Sequence, residues 1–493
     1  MGFFNRRKRR TTSTVNQSTT IPQGASTSVT EQTSLARPVL SHDGTDLSHQ
    51  KTISDNTSAP QKAETVPQNS EKEQETSKTT TRTIDSIRFR TLASDRPNKE
   101  AVTDDALERA RIALREVMAP SAPVQNKAYF AGRTKELERA ISAIEDERMH
   151  LVVYGKRGWG KTSFTNTLTS IAKEAGYIVC RSACTQATTF SGLFRTFLKS
   201  IPLLHDRSYL AAHGADNANL GFDTLLPDDD FTSKELTDVL VNLSSTRILF
   251  VLDEFDRANL ERLKYQIAET IKSFSDNSIR ATLIIVGVAD TLNDLLGIHE
   301  SIQRNIAGIP MRLLSTGEFD ELINIGEAGT GLRYSPIVRE CISDLSRKVP
   351  HFARLLCLHA GQHALVEQRW DVSMHDLHIA VEQACMDIGP LLDPRHRKVL
   401  MEFHTPQAKG FLYGMSSVPI NQEGDFTLDD AVEEYEKIIK AKVTKLALGS
   451  KLSAFTKPEV GLLTKLEKDG KSTYRLSDPL TGFYLRLKQY LGD

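Results

Sequence analysis

Cysteine is scarce: there are five in 493 residues, an odd number and too few for a disulfide framework. That excludes a small disulfide-stapled scaffold and fits a reducing compartment, so a cytoplasmic location is expected. The nearest pair, Cys180 and Cys184, lies in and just after a strand-like run and reads as core packing rather than a metal site. No apolar run reaches the roughly 18 residues that a membrane span needs. The opening residues MGFFNRRKRR carry charge but lead into no apolar stretch, which argues against a secretory signal. Arg6 stands where a myristoylation pattern wants Ser or Thr. One sign of charge is not in excess either: the net charge is -1, so no global field selects nucleic acid or membrane, and any basic surface must be local. Internal repeats, a Ser-His-Asp set and a catalytic-cysteine arrangement are not apparent.

Residues 1–100 are poor in aromatics and rich in Ser, Thr, Gln, Lys and Glu. Such a segment cannot bury enough apolar area to offset its ordering entropy and is expected to be a disordered tail. Its Arg6–Arg10 cluster could touch phosphates or acidic lipid, or serve only solubility. Residues 101–127 read as a helical strap: Leu107, Ala110, Leu114 and Val117 share a face, and Pro120 and Pro123 end the helix. From 128 to 315, strands alternate with helices. The strand-like runs are His150–Tyr154, Tyr177–Ser182, Arg247–Leu252, Thr282–Val288 and Pro310–Leu314. This pattern predicts an α/β domain with a parallel sheet. A capping box, Thr232 with Glu235, opens one of its helices. Residues 316–392 read as all helix. Residues 393–493 form a smaller module ending in a hairpin, Leu463–Lys468 and Lys471–Leu476, around Asp469–Gly470, a strong type I′ signal. Helices followed by one terminal hairpin suggest a winged helix.

The chemistry is concentrated between Gly155 and Thr162. The run Gly155–Lys156–Arg157–Gly158–Trp159–Gly160–Lys161–Thr162, with Ser163 following, fits G-x-x-x-x-G-K-[ST] in full, between a strand and a helix. Glycines let the backbone turn its N–H groups onto phosphates, and the helix N-terminus adds its positive dipole end. Lys161 can reach the β- and γ-phosphates of ATP, and Thr162 can ligate Mg²⁺. The apolar strand Ile248–Leu252 then delivers Asp253 and Glu254. Asp253 is suited to hold Mg²⁺ and Glu254 to polarise the attacking water. His359 and His363 share a helix face but lack a third ligand, so a metal role is not assigned.

A P-loop paired with an apolar strand ending in Asp-Glu resembles the AAA+ superfamily. Phe130–Ala131–Gly132–Arg133–Thr134–Lys135–Glu136–Leu137 resembles the opening of its origin-recognition and STAND-type branches, where Gly132 and Arg133 would line the adenine side. The run from Leu476 to Leu485 is similar to the close of the winged helix in relatives. The resemblance covers residues 128–493. It implies a P-loop NTPase sheet with a helical lid and a C-terminal winged-helix domain. It also implies sensor and finger positions. Asp290 stands at the sensor 1 place, where Asn is usual, and could instead cap the helix at Thr291. Arg304 stands before the fifth strand as an arginine-finger candidate, and Arg354 in the lid is the sensor 2 candidate.

The output of such an ATPase is read less directly. Lysines crowd the C-terminal module, and Lys465, Lys468, Lys471 and Arg475 on the hairpin would suit phosphate contact with duplex DNA. Glu433, Glu434 and Glu436 lie close by and temper that reading. The alternative is a STAND-like signalling or assembly switch gated by a protein partner, although no sensor repeat array is visible; a homo-oligomer or a separate protein is the partner expected. A protein remodeller ranks last, because no aromatic-hydrophobic pore loop is apparent.

Overall fold

The computed structural model describes residues 106–214, 219–258, 261–297, 300–402, 405–468 and 471–492. The expected tail, its basic cluster and the Asp469–Gly470 turn lie outside the described residues.

Five strands, β1 (His150–Gly155), β2 (Ile178–Ala183), β3 (Ile248–Asp253), β4 (Ala281–Val288) and β5 (Ile306–Pro310), make one parallel sheet in the order β2-β3-β4-β1-β5. β3 shows why the sheet is central. Every residue of Ile248–Asp253 is buried, as a strand covered on both faces requires. Side chains alternate between two apolar cores, Leu249 and Val251 in one, Ile248, Phe250 and Leu252 in the other. Phe250 stacks on Phe197 with centroids 5.4 Å apart and meets Phe194 edge-on at 5.5 Å. Each such ring pair adds about 0.5–1.5 kcal/mol beyond area burial. Because all strands run one way, the loops after β1, β3 and β4 gather at one edge, where ligands bind in open parallel sheets.

The fifth strand differs from the expected Pro310–Leu314. Ile306–Ala307–Gly308–Ile309 pairs along β1 as the edge strand, and Pro310, which has no N–H to donate, closes it. The chain then leaves through one bond, Met311 N–H to Tyr154 O at 2.7 Å. Alanine and glycine inside β5 hid it from a pattern search.

His150 opens β1, is 2% exposed, and accepts a hydrogen bond from Leu283 N–H at 2.9 Å through Nδ1. Burial pushes its pKa down from 6.5 to about 4. Within that window the unfolded chain holds a proton that the folded chain does not, so stability falls as pH falls from 6.5 toward 4. The slope is about 1.4 kcal/mol per pH unit at most. Denaturant titrations between neutral and mildly acid pH should therefore flatten in His150→Asn, which keeps an acceptor but cannot take the proton. An unchanged slope would remove His150 as the cause.

The strap is part of the fold rather than a free linker. Its helix Ala106–Val117 rests on the lid helices Thr316–Thr330 and Pro350–Val366. It lies where Gly326, Gly329 and Gly361 leave room: a Cβ on Gly329 would meet Val117, and one on Gly361 would meet Leu114, both at 2.9 Å. Arg111 donates to Leu365 O at 2.9 Å across the same contact. Two further lid helices follow, Pro336–Ser346 and Met374–Ile388.

The C-terminal module runs helix, helix, short strand, helix, helix, hairpin, helix. Its three strands, Phe426–Thr427, Leu463–Lys468 and Lys471–Leu476, form an antiparallel sheet with the last strand central. The closing helix Pro479–Leu491 returns to the lid, where Phe483 stacks on Phe352 at 4.2 Å and 11°. Among the described residues no helix is long and apolar enough to cross a membrane.

Candidate nucleotide site

The phosphate loop follows β1 with Gly155, Gly158 and Gly160 at φ 144°, 80° and 86°. Side chains rarely tolerate these angles, and at Gly155 a Cβ would also meet Met311 O at 2.6 Å. The loop hands over to the helix Lys161–Glu174, whose N-terminus opens on a cavity of about 520 Å³. Thr162 and Ser163 line that cavity. Lys161 is 9% exposed, and its amine donates to Gly155 O and Lys156 O at 2.9 Å each. Burial lowers its pKa to about 8, against the pull of Asp256 and Asp253.

The end of β3 faces the same cavity. Asp253 is 6% exposed, accepts from Glu254 N–H at 2.9 Å and holds the Arg181 guanidinium with its other oxygen. Glu254 sits at φ 53°, a left-handed conformation that costs a non-glycine residue about 1–2 kcal/mol. Its carboxylate pairs with Arg257 at 2.8 Å, and both residues line the cavity. Asp256 accepts from Val288 N–H at 2.8 Å, tying the β3 exit to the end of β4.

Another part of the wall is the irregular segment Ala119–Val124, which bends at Pro120, Ser121 and Ala122. Val124 N–H donates to Ser163 Oγ at 3.1 Å, Asn166 donates to Val124 O at 2.9 Å, and His351 Nδ1 lies 2.8 Å from Pro120 O. Next to this cavity is a smaller one of about 40 Å³, lined by Phe130, Ala131, Arg133, Trp159 and Leu322 among others. Arg354, Val124, Gly160 and Ser163 border both. Arg133 is 3% exposed, with its N–H on Glu318 at 2.8 Å and its guanidinium on Arg312 O. Gly132 N–H reaches Glu321 at 3.1 Å, so the Gly132–Arg133 turn is pinned to the first lid helix beside the smaller cavity.

The remaining expected site residues are not all brought together. Arg354 reaches the cavity wall but is spent on backbone, donating to Val117 O at 3.0 Å and Tyr129 O at 2.8 Å. Burial lowers its pKa to about 10. Asp290 does not line the cavity: it pairs with Lys156 at 2.5 Å and with Arg475. Nor does it cap the next helix, because Thr291 does, accepting from Asp294 N–H at 3.2 Å. Trp159 does not line the larger cavity and is buried to 6% exposure with its six-membered ring against Gly424. Arg304 is exposed just before β5, at the opposite end of the strands from its own phosphate loop, so it cannot act on its own site. His363 is taken by Asp376 at 2.6 Å. Among the described residues no cluster of His, Cys, Asp and Glu is arranged for a metal.

Arg475 corrects the expectation of a hairpin arginine facing solvent. Its side chain is 8% exposed and bonds Asp425 and Asp290. The module thus closes on the parallel-sheet domain through Arg475–Asp290–Lys156. Removing one member of such a buried pair typically costs about 3–5 kcal/mol. Arg475→Met should lower the unfolding free energy by about 3 kcal/mol in urea, with Arg475→Lys recovering part. A loss under about 0.5 kcal/mol would mean that the arginine is a surface residue.

Arg181, Asn166, Asp256 and the Ala119–Val124 wall were not legible as site residues. An alternating strand such as Cys180–Arg181–Ser182 marks Arg181 only as facing the other side from Cys180. The prolines of the wall read as helix stops.

The glycine loop after β1, the inward lysine and the acidic end of β3 define a P-loop NTPase. Residues 129–285 match the family model described as "AAA ATPase domain". No curated protein matches the chain. Solved structures similar to it include Cdc6p from Pyrobaculum aerophilum, at 15% identity and TM-score 0.38, covering 77% of this chain and 98% of that one. A Walker-type ATPase of Pyrococcus abyssi aligns at 16% identity and TM-score 0.43, covering 74% and 99%. Drosophila ORC bound to DNA aligns at 14% and 0.40, covering 82% and 97%.

Proposed function

We propose that the cavity binds Mg·ATP and hydrolyses it, and that nucleotide state is transmitted to the C-terminal module. The observation that carries this is the convergence on one cavity of Lys161, Thr162, Asp253 and Glu254 beneath a loop of left-handed glycines. Loop N–H groups and Lys161 bind and orient the phosphates, and the Ala119–Val124 wall excludes water. Glu254 orients the attacking water and accepts its proton. A hydroxyl from Thr162 and a carboxylate from Asp253 are the hard oxygen donors that Mg²⁺ takes. Bound there, the ion would neutralise charge on the β- and γ-phosphates. Arg181 is already on Asp253, so it is the residue that must share that carboxylate with the ion. Arg304 would reach a phosphate site only across a subunit boundary.

Two outputs fit such an engine. DNA association is supported by exposed Lys440, Lys442, Lys457 and Lys465 on the C-terminal module, which we read as a winged helix. Its charge is partly spent: Lys445 pairs with Asp429 at 2.5 Å, Lys465 with Glu467 at 3.5 Å, and Lys451 lies over the Phe411 ring at 5.4 Å. The side chains of Lys468 and Lys471 lie outside the described residues. The partner-gated switch is favoured by one observation, the Arg475–Asp290–Lys156 chain, which connects the phosphate loop directly to the module. Duplex-DNA binding across a salt series separates the two. The DNA reading expects affinity to fall steeply with salt. Neutralising Lys440, Lys442 and Lys457 together should then shallow the log–log slope by about one for each phosphate that is no longer neutralised. No binding with either ATP or ADP would leave the switch.

A further inference from the structure

A second cavity, about 60 Å³ in volume, lies where the phosphate loop, the lid and the C-terminal module meet. By volume it has room for about four waters or one small organic molecule. Much of its wall is apolar, including Val349, Phe352, Met415 and Ile420. Around it stand Arg347, Arg475 and Arg486, with Lys156 at the phosphate-loop edge.

Arg475 and Lys156 have their counter-charges in Asp425 and Asp290. Among the described residues neither Arg347 nor Arg486 makes an ion pair with a carboxylate, although Asp344 and Glu434 stand near enough to Arg347 to favour its charge. Both guanidinium groups converge on Ser416 O, at 3.4 and 3.2 Å, while Arg347 also donates to Ser417 O and Arg486 Nε to Leu345 O at 2.8 Å. Arg486 is 9% exposed, and burial together with the nearby Arg347 charge lowers its pKa. Two guanidinium groups this close, satisfied by neutral carbonyls and with no carboxylate in contact, are costly to keep charged in a partly apolar setting unless an anion joins them.

Two N–H groups at the same wall are also unmet. Trp159 Nε1, on a residue 6% exposed, and Arg347 Nε are buried without a hydrogen-bond partner. The unmet groups on this wall are therefore donors and cations, which calls for an acceptor that carries negative charge.

We propose that this cavity is a binding site for a small organic carboxylate. Arg347, Arg486 and the Trp159 indole N–H hold its two oxygens, and its short hydrocarbon body lies against Val349, Phe352 and Met415. A carboxylate has lone pairs for all three donors and takes guanidinium in the short, charge-assisted geometry. A phosphate would turn further charged oxygens onto the apolar side. The bound molecule joins Trp159 of the phosphate loop, Arg347 of the lid and Arg486 of the closing helix, so its occupancy locks the three parts together.

Thermal unfolding of the full-length protein tests this, with propionate as the probe and equal concentrations of chloride and of phosphate as controls. Propionate should raise Tm along a saturable curve that chloride does not reproduce. Arg486→Met should abolish the saturable rise. Because Arg486 is buried and that variant could fail to fold, Arg347→Met, at a partly exposed residue, carries the same expectation. Trp159→Phe should raise the half-saturating concentration about tenfold, the value of one hydrogen bond to a charged group. The proposal is overturned by no saturable rise with propionate, by a rise that survives both arginine variants, or by a saturable rise with phosphate and none with propionate. The readout involves no nucleotide, so its failure leaves the ATP site untouched.

Discussion

Glu254→Gln is expected to bind ATP as the native protein does and to lose steady-state hydrolysis by about 100-fold or more, the usual contribution of a positioned general base. The substitution keeps the shape, the left-handed backbone at φ 53° and a hydrogen-bonding head, and removes only the ability to take a proton. Glu254 lines the cavity, and its carboxylate is paired with Arg257 at 2.8 Å. Both side chains of that pair are about half exposed, at 51% and 43%, so breaking it costs under about 1 kcal/mol and does not hold Glu254 back. Phosphate release under multiple turnover, with ATP binding measured on the same preparation, checks this. Loss of binding together with hydrolysis would make Glu254 a binding residue instead.

Lys161→Ala should weaken ATP binding by about 100-fold, roughly the worth of two charge-assisted hydrogen bonds to phosphate. The same change should leave stability intact or raise it. Lys161 is a buried amine whose hydrogen bonds go to two loop carbonyls, and burial already pushes its pKa down to about 8. A group held charged against that penalty is there for a ligand more than for the fold. Isothermal titration with ATP, beside a denaturant curve, separates the two effects. A variant that binds normally, or that unfolds, would contradict the assignment.

What was legible in the sequence follows from how local each signal is. The phosphate loop, the capping box at Thr232–Glu235 and the C-terminal hairpin each depend on a few consecutive residues, and each stands at its expected place. β3 was readable because a strand buried on both faces has no polar interruption. β5 was displaced because its Ala307–Gly308 centre carries no strand signature, and pairing with β1 decides it instead. The strap was read as a helix but not as a wall. Its packing depends on three lid glycines more than 200 residues away, a relation that no window along the chain contains. Asp290 and Arg475 were each assigned from position, one as a sensor and one as a DNA contact. In the structure the two side chains pair with each other, 185 residues apart. Arg181 was invisible for the same reason: its partner, Asp253, is 72 residues further on.

The most direct test of the central claim is an equilibrium titration of ATP, with Mg²⁺ in excess, into the native protein and Glu254→Gln, followed by phosphate release from the same samples. The account predicts one nucleotide bound per chain in both and phosphate released by the native protein alone. A native protein that binds no ATP, or a Glu254→Gln protein that releases phosphate at the native rate, would contradict it.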